Sequence, residues 1–276
     1  MSVEPTSETP LLETHALTVS YGGLRANDEV SLQVRAGQIV GLIGPNGAGK
    51  TTFIDAITGF TPYDGTVSFL GKSLDGASPQ ARARRGLSRT WQSVELFRDL
   101  TVFENLIVAT RPMTVRRVLA DLVAPRRRRD ESDERWALEL VGLADSADKR
   151  PGELSLGQAK MLGVARALGT RPKVVLLDEP AAGLDSDEST ALGADFRLIV
   201  EHGISIMLID HDMDLVLDVC DYVYVLEFGH LIAEGRPAEV RDNDDVIAAY
   251  LGEEARRAKD AAQAALAADK ETPWAP

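Results

Sequence analysis

Gln38-Ile39-Val40-Gly41-Leu42-Ile43-Gly44-Pro45-Asn46-Gly47-Ala48-Gly49-Lys50-Thr51-Thr52 is the stretch whose reading decides the fold. Its first six residues form an apolar run without polar alternation, as expected of a strand covered on both faces in a parallel sheet. The next eight, Gly44 to Thr51, match the G-x-x-x-x-G-K-[ST] pattern, and Phe53 to Thr58 reads as helix. Glycines let the backbone curl so that successive N–H groups face a phosphate, and the N-terminus of the following helix adds partial positive charge. Strand, loop and helix together read as a nucleoside triphosphate site spanning residues 44 to 52. Lys50 is expected to reach the β- and γ-phosphates, and the Thr51 hydroxyl to ligate Mg²⁺.

Working outward, Val174-Val175-Leu176-Leu177 and Ile204 to Ile209 repeat the buried-strand pattern. Each is followed by polar residues and then by helical periodicity, the rhythm of an open α/β sheet. Leu12 to Val34 instead breaks into short apolar segments with turn residues at Tyr21-Gly22-Gly23 and Ala26-Asn27-Asp28, which suggests antiparallel β structure. Between about residues 93 and 168 helix-like stretches take over: Val102 to Ala109, Val115 to Val123, Asp133 to Val141 and Gly157 to Leu168. Residues 222 to 234 return to strands, with a turn at Gly229-His230. The expected organisation is a flexible arm over 1–11, an ATPase unit over 12–252 carrying a helical insert at about 93–168, and a helical or disordered tail over 253–276.

The strand at Val174 ends in Asp178-Glu179-Pro180. A carboxylate directly at the strand end sits near a Mg²⁺ shell, and a second one residue on stands where a general base or water-orienting group is needed. An ordinary acidic pair after a core strand is the bland alternative. Leu154-Ser155-Leu156-Gly157-Gln158 lies shortly before this strand, and a Ser-x-Gly-Gln start is by itself a good helix cap. Ser155 with the N–H groups of Gly157 and Gln158 would also open a second anion-binding helix terminus.

In order, the chain carries Tyr21, the phosphate loop, Gln92, Leu154 to Gln158, Asp178-Glu179, Asp185 and His211. This order resembles the ATP-binding cassette (ABC) ATPases over about residues 12 to 252. The resemblance implies a P-loop NTPase (RecA-like) core with an antiparallel β subdomain and a helical subdomain insert, with ATP and Mg²⁺ as cofactors. It further implies that Tyr21 stacks on adenine, that Gln92 links Mg²⁺ and the attacking water to the helical insert, and that Asp178 joins Thr51 and Gln92 at the metal. By the same resemblance Glu179 activates or orients water, Asp185 forms a loop communicating across a dimer, and His211 contacts the γ-phosphate. Two chains would meet head to tail, each ATP lying between one chain's phosphate loop and the other's signature. Local alternatives remain for single residues: Tyr21 capping a turn, Gln92 a surface amide, Asp185 a helix cap. His15, His202 and His230 have no comparable context.

The signature's third residue is Leu156 rather than glycine, and Met161 stands where family members often carry a basic residue, with Lys160 beside it. Arg89-Thr90-Trp91-Gln92, Leu96-Phe97, Thr101 to Leu106, His211 to Val216 and Ala248 to Gly252 are similar to the ATP-binding subunits of branched-chain amino acid importers. That branch implies a second ATPase subunit, unlike or identical, two transmembrane permease subunits and, indirectly, an extracytoplasmic solute-binding protein. It places the chain on the cytoplasmic face of the cell membrane.

Composition sets the outer bounds. A net charge of −13 argues against bulk nucleic-acid binding, which needs a positive surface to displace counterions. Cys220 is the only cysteine, so neither an intramolecular disulfide nor a cysteine metal cluster is expected. No apolar run approaches the ~18 residues of a membrane span, and the acidic N-terminus does not resemble a secretory signal. Arg126 to Arg129 could meet lipid headgroups or a membrane subunit, or form a solvated loop. Two other functional classes compete. A soluble non-transport ABC ATPase usually has two cassettes or long coiled-coil arms, which this chain lacks. A non-hydrolysing scaffold would have little need for both Glu179 and His211.

Overall fold

The computed structural model describes residues 9–91, 95–110 and 131–251. Gln92, the helix expected over Val115 to Val123, Arg126 to Arg129 and the tail lie outside the described residues.

The apolar run at Gln38 becomes β3 (Ile39–Ile43), every residue of which is buried. It lies inside a six-stranded sheet of order β10-β9-β3-β8-β7-β6, with β6 (Leu87–Arg89), β7 (Val174–Asp178), β8 (Ser205–Ile209), β9 (Tyr222–Glu227) and β10 (His230–Gly235). All neighbours pair in parallel except β10, which returns antiparallel along β9. β7 and β8 are also fully buried.

Because side chains alternate along a strand, these apolar runs divide between two cores. Ile39, Ile43, Val175, Leu177, Ile206 and Leu208 face one side. There they meet Leu106 of α3 (Val102–Thr110), Leu138 of α4 (Ser132–Leu140), Leu162 of α5 (Leu156–Leu168), Phe196 of α6 (Ser186–Glu201) and Val216 of α7 (Met213–Val219). Val40, Leu42, Val174, Leu176, Met207 and Ile209 face the other side. They pack on Phe53, Ile54 and Ile57 of α1 (Lys50–Thr58) and on Leu17, Val30 and Val67 of a second sheet. Each fully buried Leu or Ile contributes about 1.5–3 kcal/mol relative to an exposed one, so both faces are strongly specified.

The second sheet is antiparallel, of order β2-β1-β4-β5, with β1 (Leu12–Tyr21), β2 (Leu24–Val34), β4 (Asp64–Phe69) and β5 (Lys72–Ser73). Its first hairpin turns at Gly22-Gly23, as the sequence suggests. Ala26-Asn27-Asp28 is not a turn: it runs within β2, and the pairing register shifts there. Asn27 is buried and donates through Nδ2 to the Gly49 carbonyl at 3.2 Å, a polar residue used for anchorage rather than reversal. Leu11, at the edge of the expected arm, is tied in by its N–H to the Val34 carbonyl at 2.8 Å.

Helix α1 ends at Gly59 in left-handed conformation, and its last carbonyls are met by Arg82 of α2 (Pro79–Arg84). Nη1 of that buried arginine donates to the Ala56 and Ile57 carbonyls at 3.0 and 2.8 Å, placing a cation at the negative end of the helix. Among the described residues no helix is long and apolar enough to cross a membrane.

Cys220, just beyond α7, is 4% exposed, and burial pushes its thiol pKa well above the ordinary range. A thiolate is the reactive form, so the native protein should resist labelling by an aromatic disulfide reagent. One equivalent should react after unfolding in urea, and rapid native labelling would contradict the packing described.

Candidate functional site

The parallel register brings three chemical segments to one edge of the sheet. Leu42 of β3 and Asp178 of β7 both pair with Ile209 of β8, so the chain leaves all three strands at the same level. The loops at the carboxyl ends of such strands are where open α/β sheets bind ligands. Gly44 to Lys50, Glu179 to Asp185 and Asp210 to Asp212 occupy those exits.

The first loop needs glycine for steric reasons. Gly44 has φ 149°, and a Cβ there would strike the Leu226 carbonyl of β9. Gly49 has φ 101°, and its Cβ would strike the Ala26 carbonyl of β2. The loop is thus pressed between the two sheets, held also by the Gly229 N–H to Ala48 carbonyl bond at 2.9 Å. Lys50 opens α1 and is 7% exposed. Its Nζ donates to the Gly44 and Pro45 carbonyls at 2.6 and 3.0 Å, across the concavity of the loop. A cavity of about 420 Å³ is lined by residues 46–52 together with Leu24, Phe228 and Glu179.

At the second exit, Asp178 is buried and held by the Arg89 guanidinium, Nη2 to Oδ2 3.3 Å. Burial pushes its carboxyl pKa up, while the nearby Arg89 charge opposes that shift. Glu179 has φ +47°, left-handed backbone that costs a non-glycine residue on the order of 1 kcal/mol or more. Its N–H donates to the Ile209 carbonyl at 2.7 Å, and its carbonyl accepts from Lys160 Nζ at 3.3 Å. The backbone is fixed from β8 and α5, and Glu179 lines the cavity of residues 46–52.

The third exit is organised by Asp210, which is fully buried. Its carboxylate accepts from the N–H groups of His211 (2.8 Å), Asp212 (3.1 Å) and Ala181 (3.2 Å). Burial raises its pKa, and those N–H donors pull it back down. One carboxylate therefore joins the loop after β8 to the loop after β7. His211 Nδ1 lies 3.5 Å from Asp210 Oδ1, with its side chain 46% exposed at the surface of this edge.

Ser155, Gly157 and Gln158 do not line that cavity. Ser155 caps α5: its Oγ accepts from the Gln158 N–H at 3.2 Å, and Gln158 Oε1 accepts from the Ser155 N–H at 3.1 Å. The Gln158 N–H expected to face an anion is thus engaged within its own chain. Leu156 is half exposed, and a Cβ on Gly183 would sit 3.6 Å from its Cδ2, so the signature abuts the loop of residues 181–185. Asp185 is a helix cap, accepting the Glu188 N–H at 2.9 Å as α6 begins. Tyr21 stands exposed at the end of β1, paired with Leu24.

Asp178, Glu179 and His211 are legible in the sequence as site residues, whereas Arg89, Asp210 and Lys160 are not. Their importance lies in contacts spanning 19 to 89 positions along the chain. Only the placement of Asp210 directly at the end of a buried strand signalled any of them. Among the described residues no cluster of three or more His, Cys, Asp or Glu forms a metal cage. The Thr51 hydroxyl and Asp178 carboxylate are hard oxygen donors, a set suited to Mg²⁺ that takes its remaining ligands from phosphates and water.

A family model described as ABC transporter matches residues 27–182, and one described as branched-chain amino acid ATP-binding cassette transporter matches residues 230–256. The chain is 42% identical over 252 residues to the high-affinity branched-chain amino acid transport ATP-binding protein BraF of Pseudomonas aeruginosa, covering 88% of this chain and 98% of that one. It is 37% identical over 245 residues to the lipopolysaccharide export system ATP-binding protein LptB of Escherichia coli, covering 87% and 96%. Among solved structures, the ADP conformation of an ABC transporter cassette superposes with a TM-score of 0.79 at 32% identity, covering 89% of this chain and 100% of that one. The chain belongs to the ABC transporter family, as an ATP-binding, ATP-hydrolysing cassette of the P-loop NTPase fold.

Proposed function

We propose that this chain hydrolyses ATP at the interface of a cassette dimer and drives uptake of branched-chain amino acids, or a related small polar solute, through two membrane permease subunits. The observation that carries the catalytic half is the common register that sets Lys50, Asp178-Glu179 and Asp210-His211 at one sheet edge. The transport half is supported by the match of residues 230–256 and by relatives named for branched-chain amino acid transport.

In this reading, residues 44–52 cradle the phosphates and Lys50 exchanges its loop carbonyls for phosphate oxygens. Thr51, Asp178 and Gln92 hold Mg²⁺, whose chemistry is to neutralise charge on the phosphates. Glu179 orients the attacking water or accepts its proton, and His211, held by Asp210, keeps the γ-phosphate in line. Little covalent work falls to the chain, because positioning and charge stabilisation dominate phosphoryl transfer. Tyr21 stacks on adenine. Ser155, Gly157 and Gln158 serve the ATP of the partner chain, and Asp185 meets that partner. The ATPase unit spans residues 12–252, with the segment around Gln92 and the helical insert facing the permeases at the cytoplasmic membrane surface.

Glu179→Gln should lower phosphate release by about 10²–10⁴-fold, the range for losing a positioned acid–base group, while keeping ATP binding. Unchanged turnover would remove Glu179 from this role. Asp210→Asn places an amide donor among three N–H groups that need an acceptor. It should cost about 1–3 kcal/mol in urea unfolding and reduce turnover with it, and an unaltered midpoint would contradict the account of Asp210.

A further inference from the structure

Arg89 ends β6, the edge strand, and its side chain is 7% exposed. It is shared by two carboxylates. Nη1 meets Asp55 Oδ1 of α1 at 2.6 Å, and Nη2 meets Asp178 Oδ2 at 3.3 Å. The guanidinium carbon also sits 4.2 Å from the centre of the Trp91 ring, which packs edge-on against Phe60 with centroids 5.2 Å apart. The main chain reinforces this junction: the Thr90 N–H donates to the Leu176 carbonyl at 2.8 Å, and Thr90 Oγ1 accepts the Asp178 N–H at 3.2 Å.

We propose that Arg89 is a positioning residue that couples the Asp178 carboxylate to the Trp91 segment, so that metal arrival at Asp178 is reported at Trp91 and displacement of that segment is felt at the metal. The inference rests on reading Asp178 as a Mg²⁺ ligand. A guanidinium and a divalent ion cannot both neutralise one carboxylate fully, so binding the ion loosens the contact to Nη2. The fork is rigid, and a change at Nη2 tilts the plane that stacks on Trp91. The Asp55 contact, shorter and on the opposite arm, acts as the pivot. Coupling of this kind is reciprocal: a partner that shifts Trp91 alters metal affinity by the same factor.

Trp136 and Trp274 are the other two tryptophans, so Trp136→Phe with Trp274→Phe leaves Trp91 as the sole emitter. With saturating ADP, adding Mg²⁺ should shift Trp91 emission. Arg89→Lys keeps the charge but loses the fork. It should abolish that shift and, because the contact that competes with the ion is lost, tighten Mn²⁺ binding, read by electron paramagnetic resonance, severalfold. ADP binding in EDTA should survive. Asp55→Asn, whose Oδ1 still accepts from Nη1 and which leaves the Asp178 contact in place, should retain the shift. The proposal is overturned by a shift that persists in Arg89→Lys, by its equal loss in Asp55→Asn, or by its absence in the parent chain; the last two need no folded Arg89 variant. Unchanged Mn²⁺ affinity in Asp178→Asn would overturn the metal reading and the coupling together. A normal loss there with a persistent Trp91 shift in Arg89→Lys would overturn the role of Arg89 alone.

Discussion

Parallel pairing of β3, β8 and β7 in a single register is the constraint on which the rest of this structure depends. Ile209 of the central strand faces Leu42 on one side and Asp178 on the other. A one-residue slip of β7 would carry Asp178 about 3.3 Å along the sheet and turn it to the opposite face. The two cores prevent such a slip. Val175 and Leu177 fill one, Val174 and Leu176 the other, and a shift would misplace side chains in both. Apolar packing far from any phosphate thus sets the spacing of the charged groups.

Burial of those groups is compensated locally rather than by distant charges. Asp210 is fully buried yet satisfied by three backbone N–H groups, and Arg89 answers Asp178 and Asp55 together. A buried charge without such partners would be strongly destabilising. The contacts also cross-link segments far apart in the chain, joining the loop after β7 to α5 through Lys160 and to the loop after β8 through Asp210. The unusual backbone of Glu179 is maintained between these anchors.

Sequence reveals those parts of the fold whose cause is local. The largely apolar runs beginning at Ile39, Val174 and Ile204 announce buried strands, and the glycine spacing from Gly44 to Gly49 announces a tight loop. Between residues 59 and 91, β4, β5, β6 and α2 are short, and β4 and β6 also pair with the distant strands β1 and β7, so periodicity gives little. Ala26-Asn27-Asp28 has turn composition, but contact with Gly49 overrides it. The site divides in the same way. Asp178 and Glu179 are legible because they terminate a strand, whereas Arg89 and Lys160 act on partners 89 and 19 positions away. Ser155 and Asp185 are legible as caps, and both cap helices.

The posture of Lys50 has a thermodynamic consequence. Its ammonium group bridges two carbonyls of its own loop, Gly44 and Pro45, and so acts as an internal tenant of the concavity. Under the proposed function, a triphosphate entering there would meet a loop already curled, with its cation in residence. Binding is therefore a change of hydrogen-bond partners, not the ordering of a slack chain. The entropy of shaping the cradle is settled during folding, leaving more of the phosphate contact energy for affinity. Loop plasticity is correspondingly a poor route for this cassette to tune its response to nucleotide.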